Sequence, residues 1–450
     1  MTYRVTVEIS GMTTSDIQLR LGSSGTVDAT ITANGTYTYT LVSDGTRVYF
    51  FGSAGFDGSI ESVSVREVIS ANAPVPGSAC PHVLVEPQRT NLATYSEEFD
   101  NAAWVKTGTP TITANDTISP DGTSTADKVL RTITGPTYVG QTYTKAASAL
   151  PYVFSIFAKK DSTNFVSLRL QGTYPARVDA CFDLSTGTIS LAALANTFTN
   201  EFADIEDYGN GWYRLTVGGT TDATTSAFSL ISSASVSQQV DATDPIASAS
   251  AYIWGAVLEA GAYPTSYIPT VASSVTRLAD AGVGSGNSTT FNSEAGVLFV
   301  DMAALFDDGT NRRISISDGT NDNRIVISYD TANKIQCFFV IGGVSSATPS
   351  FVVDTTQMLK IAFRWALDDF SLWVSGTEQA TDVSGSVFAA STLTTLSLSD
   401  GAGGSPFYGK IRTIQTFEYL DDNAMRELGS NYGSYTALSE DLGYNLILDI

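Results

Sequence analysis

The chain is poor in the residues that most enzyme and nucleic-acid chemistry requires. Among 450 residues there is one histidine and there are three cysteines, and Lys+Arg number 24 against 46 for Asp+Glu, a net charge of −22. Nucleic-acid binding needs clustered cations to neutralise phosphates, and no such cluster exists. An anionic membrane surface would repel the chain, which leaves neutral ligands or a basic partner surface. Cys80, Cys181 and Cys337 are far apart and odd in number, so they build neither a disulfide framework nor a zinc spacing, and ordinary thiols in a reducing compartment are expected. The lone His82 lies in a proline-rich stretch, whereas a Ser-His-Asp or Cys-His arrangement needs fixed geometry. Apolar runs are short: GVLFVDMAALF is interrupted by Asp301, so no membrane insertion is expected. The opening MTYRVTVEIS lacks the apolar centre of a signal peptide and alternates as a strand does.

What the chain has in quantity is Thr, Ser, Gly and Asn around a 43% hydrophobic complement, with only 16% charged residues. That mixture suits short twisted strands joined by tight turns, and the length implies about two to four domains. The expected fold class is all-β: tandem antiparallel β-sandwich (jelly-roll) domains, with one short helix near the C-terminus. The first block, 1–69, reads as short strands, among them IQLRL and TYTYTLV, the latter preceded by Asn34-Gly35. Residues 70–85 carry Pro74, Pro76 and Pro81 and read as a linker. A second sandwich is expected over 86–280, a flexible linker over 281–290, a third sandwich over 291–432 and a tail over 433–450.

The third block yields a register. In LKIAFRWALDDFSLWVSG a turn at Leu367-Asp368 pairs Trp365 with Phe370, Phe363 with Leu372 and Ile361 with Val374, all apolar and on one face. The opposite face carries Lys360, Arg364 and Trp373. Near its end, DDNAMRELG reads as a helix with Asp421 or Asp422 as N-cap and Gly429 just past its end. In the tail, Tyr444, Leu446 and Leu448 alternate as a docking strand would.

Five ordered stretches of the second block, EPQRTNLATYSEEFDNAAW, SPDGTSTADKV, YVFSIFAKK, NGWYRLTV and LEAGAYPTSYIPTVASSVTRLAD, resemble a carbohydrate-binding-like module recurrent in bacteriophage tail and fibre proteins. The first block looks like the C-terminal half of a related jelly roll, whose open edge strand would invite a docking partner. The third, through RRISISDGTNDNRI, LKIAFRWALDDFSLWVSG, FYGKIR and YLDDNAMRELG, is similar to concanavalin-like (laminin-G-type) jelly rolls. The resemblance implies a structural virion component of a tailed phage (tail fibre, tail spike or minor tail protein), assembled in the host cytoplasm. It would be a homo-oligomer, with a trimer favoured, in contact with other virion proteins and contributing to recognition of host-surface glycan. The alternatives are a polysaccharide-degrading enzyme with sugar-binding accessory modules and a purely architectural virion protein.

Residue chemistry favours a binding protein over an enzyme. Asp204, Glu206 and Asp207 form the densest acid cluster of the second block, which reads first as a solvated loop rather than a glycosidase pair. Asp307, Asp308, Asp318 and Asp322 sit in Gly/Asn turns. No cofactor is expected; calcium at Asp318 and Asp322 is the alternative to simple turn formation. Sugar binding uses exposed aromatic rings with amides and carboxylates beside them. The candidates are Trp373, Arg364, Trp254, Tyr174 and Tyr138, with Trp373 placed first because the hairpin register puts it off the core face, where a subunit contact competes with a sugar. In the opening stretch of the second block, Leu92, Tyr95, Phe99 and Trp104 are expected to anchor the segment, and Asn91, Ser96 and Asn101 to satisfy backbone groups.

Overall fold

The computed structural model describes residues 2–21, 27–42, 47–68, 82–194, 198–330, 333–429 and 446–449. Cys80, most of the expected first linker and Tyr444 lie outside the described residues. The chain divides into two compact units, Met1–Pro74 and Val75–Ile450. Pairing between the named strands is antiparallel throughout, so the chain is a series of tandem β-sandwiches, as expected from its composition.

In the first unit, alternating side chains of Thr2–Thr14 and Ile17–Leu21 supply the core: Val5, Val7, Ile9, Ile17, Leu19 and Leu21 are all buried. The long Thr2–Thr14 strand lies between Gly35–Val42 and Asp57–Val68, and Ile17–Leu21 lies between Ala29–Ile31 and Val48–Gly52. Burying one face of each three-stranded sheet against the other follows from the period-2 pattern.

The second unit holds two larger sandwiches. The first of these has two six-stranded sheets, one centred on Ala249–Ala260 and Pro151–Lys160, the other on Phe165–Gln171 and Ser226–Ala234. Its core includes Phe154, Ile156, Leu168, Val178, Leu215 and Ile231. The opening segment behaves as the sequence implied. Phe99 and Trp104 are fully buried with ring centroids 4.8 Å apart, and Leu92 and Tyr95 pack against the same core. Asn91 is wholly buried; its Nδ2 donates to the Ala256 and Ile268 carbonyls, and its Oδ1 accepts from the Ala93 and Leu258 amides. Ser96 caps the Thr270 amide, and Asn101 caps that of Ala103.

The last sandwich pairs a seven-stranded sheet with a six-stranded one. Its hairpin has the expected register, Ile361 opposite Val374, Phe363 opposite Leu372 and Trp365 opposite Phe370. Asp368 takes a positive φ of 55° at the turn, a conformation Asp tolerates better than most residues. The helix spans Asp422–Leu428; the Asp421 carboxylate accepts from the Asn423 and Ala424 amides, and Gly429 ends it.

Both expected linkers are partly structured. Val83–Val85 pairs with Gly409–Ile411, because a Val-Leu-Val run after the last proline completes an open strand edge. In the 281–290 segment, Ser285 exchanges backbone hydrogen bonds with Leu396, and the Gly282 carbonyl accepts from the Leu398 amide; the segment is laid against the last sandwich instead of hanging free. The tail strand Leu446–Asp449 docks on its own chain, pairing with Thr413–Gln415.

Candidate functional site

Strand alternation in the sheet centred on Phe165–Gln171 sends Val166, Leu168 and Leu170 into the core and turns Arg169 and Gln171 outward. The Tyr138–Thr144 strand does the same, burying Val139 and Tyr143 and turning Tyr138, Gly140 and Thr142 outward. Together with Val105, Phe228, Leu230, Tyr174 and Asp241 these outward groups line a groove of about 410 Å³. Two of the sequence candidates, Tyr138 and Tyr174, therefore meet at one site although 36 positions separate them.

Two loops set the rim. Tyr174 stands on the hairpin after Gln171, where the Gly172 amide donates to the Ala176 carbonyl at 2.9 Å and the Thr173 amide to the Asp222 carboxylate at 2.8 Å. Tyr174 is 64% exposed, and the Arg177 guanidinium carbon lies 5.0 Å from its ring centroid. Asp241 comes from the segment after Ser226–Ala234. That segment is tied down by the buried Asp244, which accepts from the Gln238 side chain and the Ser235 and Ile246 amides and lies beside the buried Arg131.

The floor is an ion-pair network. Arg169 donates to both carboxylate oxygens of Asp241, at 2.9 and 2.7 Å, and to Asp179 at 2.7 Å. The Asp179 carboxylate also accepts from Arg177 at 2.8 Å. The Arg169 guanidinium holds the Asp241 carboxyl below the usual carboxylate range, so that group is ionised at neutral pH. Both arginines are thus committed to carboxylates. The groove offers ligands an exposed ring, apolar side chains at Val105, Phe228 and Leu230, the hydroxyls of Thr107 and Thr142, the Gln171 amide and an anionic rim at Asp241.

The other candidates are not at this groove, nor on the surface. Trp373 is 2% exposed. The register does place it off the main core, but Met425 and Leu428 of the short helix close over it together with Phe299, Phe417 and Leu420. Its Nε1 donates to the Ser371 hydroxyl at 2.9 Å. Arg364 is equally covered: it donates to Asp422 at 2.7 Å and to the Leu420 carbonyl at 3.2 Å, and so ties the helix to the sheet. Trp254 is 3% exposed. A bulge at Gly255, whose φ is 65°, turns it under Tyr267, 4.4 Å away between ring centroids, and its Nε1 donates to Thr125. In each case a segment distant in sequence covers a ring that alternation alone would leave exposed.

The acid cluster lies on a strand, Thr199–Gly209, not on a loop. Burial pushes the Glu206 carboxyl up, against the pull of Arg214 and Lys410, so that residue is a structural neighbour of cations. The Asp318 carboxylate is occupied by the Thr320 amide and hydroxyl and the Asn323 side chain, an Asx-type turn that explains its position without a cation. Among the described residues no group of three or more His, Cys, Asp or Glu is arranged to hold a metal. His82 is half-buried beside Lys410 and Arg412, and burial and those charges lower its pKa.

Sequence reasoning missed Arg169, Asp241, Phe228 and Leu230. The polar alternation of Ser167, Arg169 and Gln171 in the strand carried a signal for Arg169. Asp241 carried none, since it is joined to Arg169 across 72 residues.

No protein-family profile and no curated protein matches the chain in sequence. Among solved structures it is similar to the carbohydrate-binding module (CBM40) of a Ruminococcus gnavus IT-sialidase bound to α2,3-sialyllactose, at 16% identity and a TM-score of 0.28 over 33% of this chain and 94% of that one. It is also similar to mouse laminin α1 domains LG4-5, at 11% identity and a TM-score of 0.24 over 63% and 90%. A putative carbohydrate-binding protein from Bacteroides ovatus gives 10% identity and a TM-score of 0.26 over 64% and 78%. Scores this low say nothing about what this chain binds.

Proposed function

We propose that the chain is a non-enzymatic glycan-binding component of a tailed-phage virion, and that its sugar site is the groove between Tyr138 and Tyr174. The observation that carries this reading is the Tyr174 ring, which stands exposed at the rim of a hydroxyl- and amide-lined groove. A planar ring covers the apolar face of a pyranose, and the adjacent polar groups read its hydroxyls. The ligand is uncharged. Each guanidinium at the groove already faces a carboxylate, which leaves none free to pair with a uronic or sialic acid. The virion assignment rests on the resemblance of the EPQRTNLATYSEEFDNAAW-type stretches, and with it come assembly as a homo-oligomer, a trimer favoured, contact with other virion proteins, and a place on the particle.

The test is titration of the purified full chain with neutral and acidic oligosaccharides. Saturable binding of a neutral sugar, weakened about tenfold or more in Tyr174→Ala and without release of shorter products, is the expected result. Cleavage of the glycan would favour the polysaccharide-degrading reading, and absence of binding the architectural one.

A further inference from the structure

The groove does not end where the Tyr174 hairpin ends. Two further depressions continue it, of about 350 and 390 Å³. The first shares Gln141 and Thr142 with the groove, and the second shares Leu92 and Thr144 with the first. The first two follow one strand, Tyr138–Thr144, whose outward row is Tyr138, Gly140, Thr142 and Thr144; the third starts at the last residue of that row, Thr144, and runs on past Lys145 to Leu92 and to Tyr152 of the opposite sheet. Along that row the rise is about 20 Å, the span of several sugar rings.

Three features suit the row to an extended ligand. Gly140 lets the Leu230 side chain lie across the strand, since a Cβ there would stand 2.3 Å from it, so the floor at this point is low and apolar. The Val105–Thr107 strand pairs only with Tyr138–Gly140. Past Gly140, no described strand takes the outer edge of Gln141–Thr144; the Gln141 side chain instead bonds the amide and carbonyl of Thr94. The middle depression is lined mainly by hydroxyl and amide groups, from Thr94, Gln141, Thr142, Thr144 and Ser274.

Building on the glycan-binding reading, we infer that the site takes the interior of a neutral polysaccharide, laid along the Tyr138–Thr144 strand from the Tyr174 ring to Lys145, and not a single terminal sugar. A terminal sugar would use the first depression alone. A polymer segment engages all three, so affinity grows with length until the row is filled.

The test is a length series, from di- to hexasaccharide, of neutral gluco-, manno- and galacto-oligosaccharides titrated into the full chain and into Thr144→Leu. Thr144 is exposed on its strand, and it lines only the second and third depressions. The expected result is a hexasaccharide bound about tenfold or more tighter than its disaccharide. In Thr144→Leu that gain is lost while the disaccharide affinity and the unfolding transition are unchanged, which also shows that the variant is folded. A hexasaccharide bound no tighter than the disaccharide, or a length gain untouched by Thr144→Leu, overturns the extension and leaves the first groove standing. Failure of every length to bind overturns the glycan reading itself.

Discussion

Replacing Trp373 by alanine separates a structural tryptophan from a sugar-binding one. The indole is almost wholly enclosed, packed between Phe299 and Phe417 on the sheet and Met425 and Leu428 on the helix. Arg364 and Arg426 flank it at 6.0 and 5.8 Å from its ring. Truncating a buried aromatic of this kind costs about 3–5 kcal/mol, from lost burial plus the cavity left behind. The loss falls at the seat of a seven-residue helix, too short to persist without its packing. Denaturant unfolding followed by fluorescence and circular dichroism should show the last sandwich melting earlier by that amount. Glycan titration below the transition should show affinity equal to wild type, because the groove lies on the other large sandwich. A folded Trp373→Ala protein of undiminished stability that has lost glycan binding would refute both the burial argument and the placement of the site.

Tyr174→Ala is the converse: a change in stability within about 0.5 kcal/mol by the same unfolding assay, since the ring is exposed, alongside its loss of sugar affinity. Asn91→Ala strands the Ala256 and Ile268 carbonyls and the Ala93 and Leu258 amides in a buried site. It should cost about 3–5 kcal/mol in denaturant unfolding, given the penalty for each buried unpaired group. Asp127 is buried, accepting from the Phe99 and Asn115 amides, and burial pushes its carboxyl from 3.8 up to about 6. A raised carboxyl favours the folded state while neutral, so its contribution is full below pH 3.8 and is lost as pH rises through 6. The stability of wild type relative to Asp127→Asn should therefore fall by on the order of 3 kcal/mol between pH 4 and pH 7; a gap that stays constant with pH would contradict the shift.

These contrasts show which features were legible in the sequence. The Ile361–Val374 hairpin was, because apolar alternation with period two leaves one register that buries every ring. The helix was, because an Asp cap and a terminal Gly bracket it. The anchoring of Glu86 to Trp104 was, because large rings and amides without an apolar run have few other uses. Exposure was not legible for Trp373, Arg364 or Trp254. Alternation assigns a side chain to a face, but what covers that face comes from elsewhere: the 422–428 helix in one case and Tyr267 in the other. The pairing of Arg169 with Asp241 was hidden for the same reason, since strand order and loop path bring the two together.

The same covering argument explains why the groove lies where it does. Each large sandwich has two outer sheet faces. In the last one, the helix closes over the face that carries Trp373. In the other, the segment that includes Tyr267 closes over Trp254 and Phe157, and Trp212 joins that cluster. Apolar rings on an outer face therefore draw a cover, because leaving them wet forfeits the burial that stabilises them. The sheet of Tyr138–Thr144 and Phe165–Gln171 is built differently. Its outward groups are mixed: Ser167, Arg169 and Gln171 are polar, with the arginines neutralised in place by Asp179 and Asp241, and Val105, Phe228 and Leu230 are apolar. The segment that carries Gln238 and Asp241 closes over Ser167 and Arg169, and the part of the face beside it keeps Tyr174 exposed at its rim. An exposed ring beside hydroxyl and amide groups suits a ligand that is itself half apolar and half hydroxyl, and the neutral sugar chain proposed above is such a ligand.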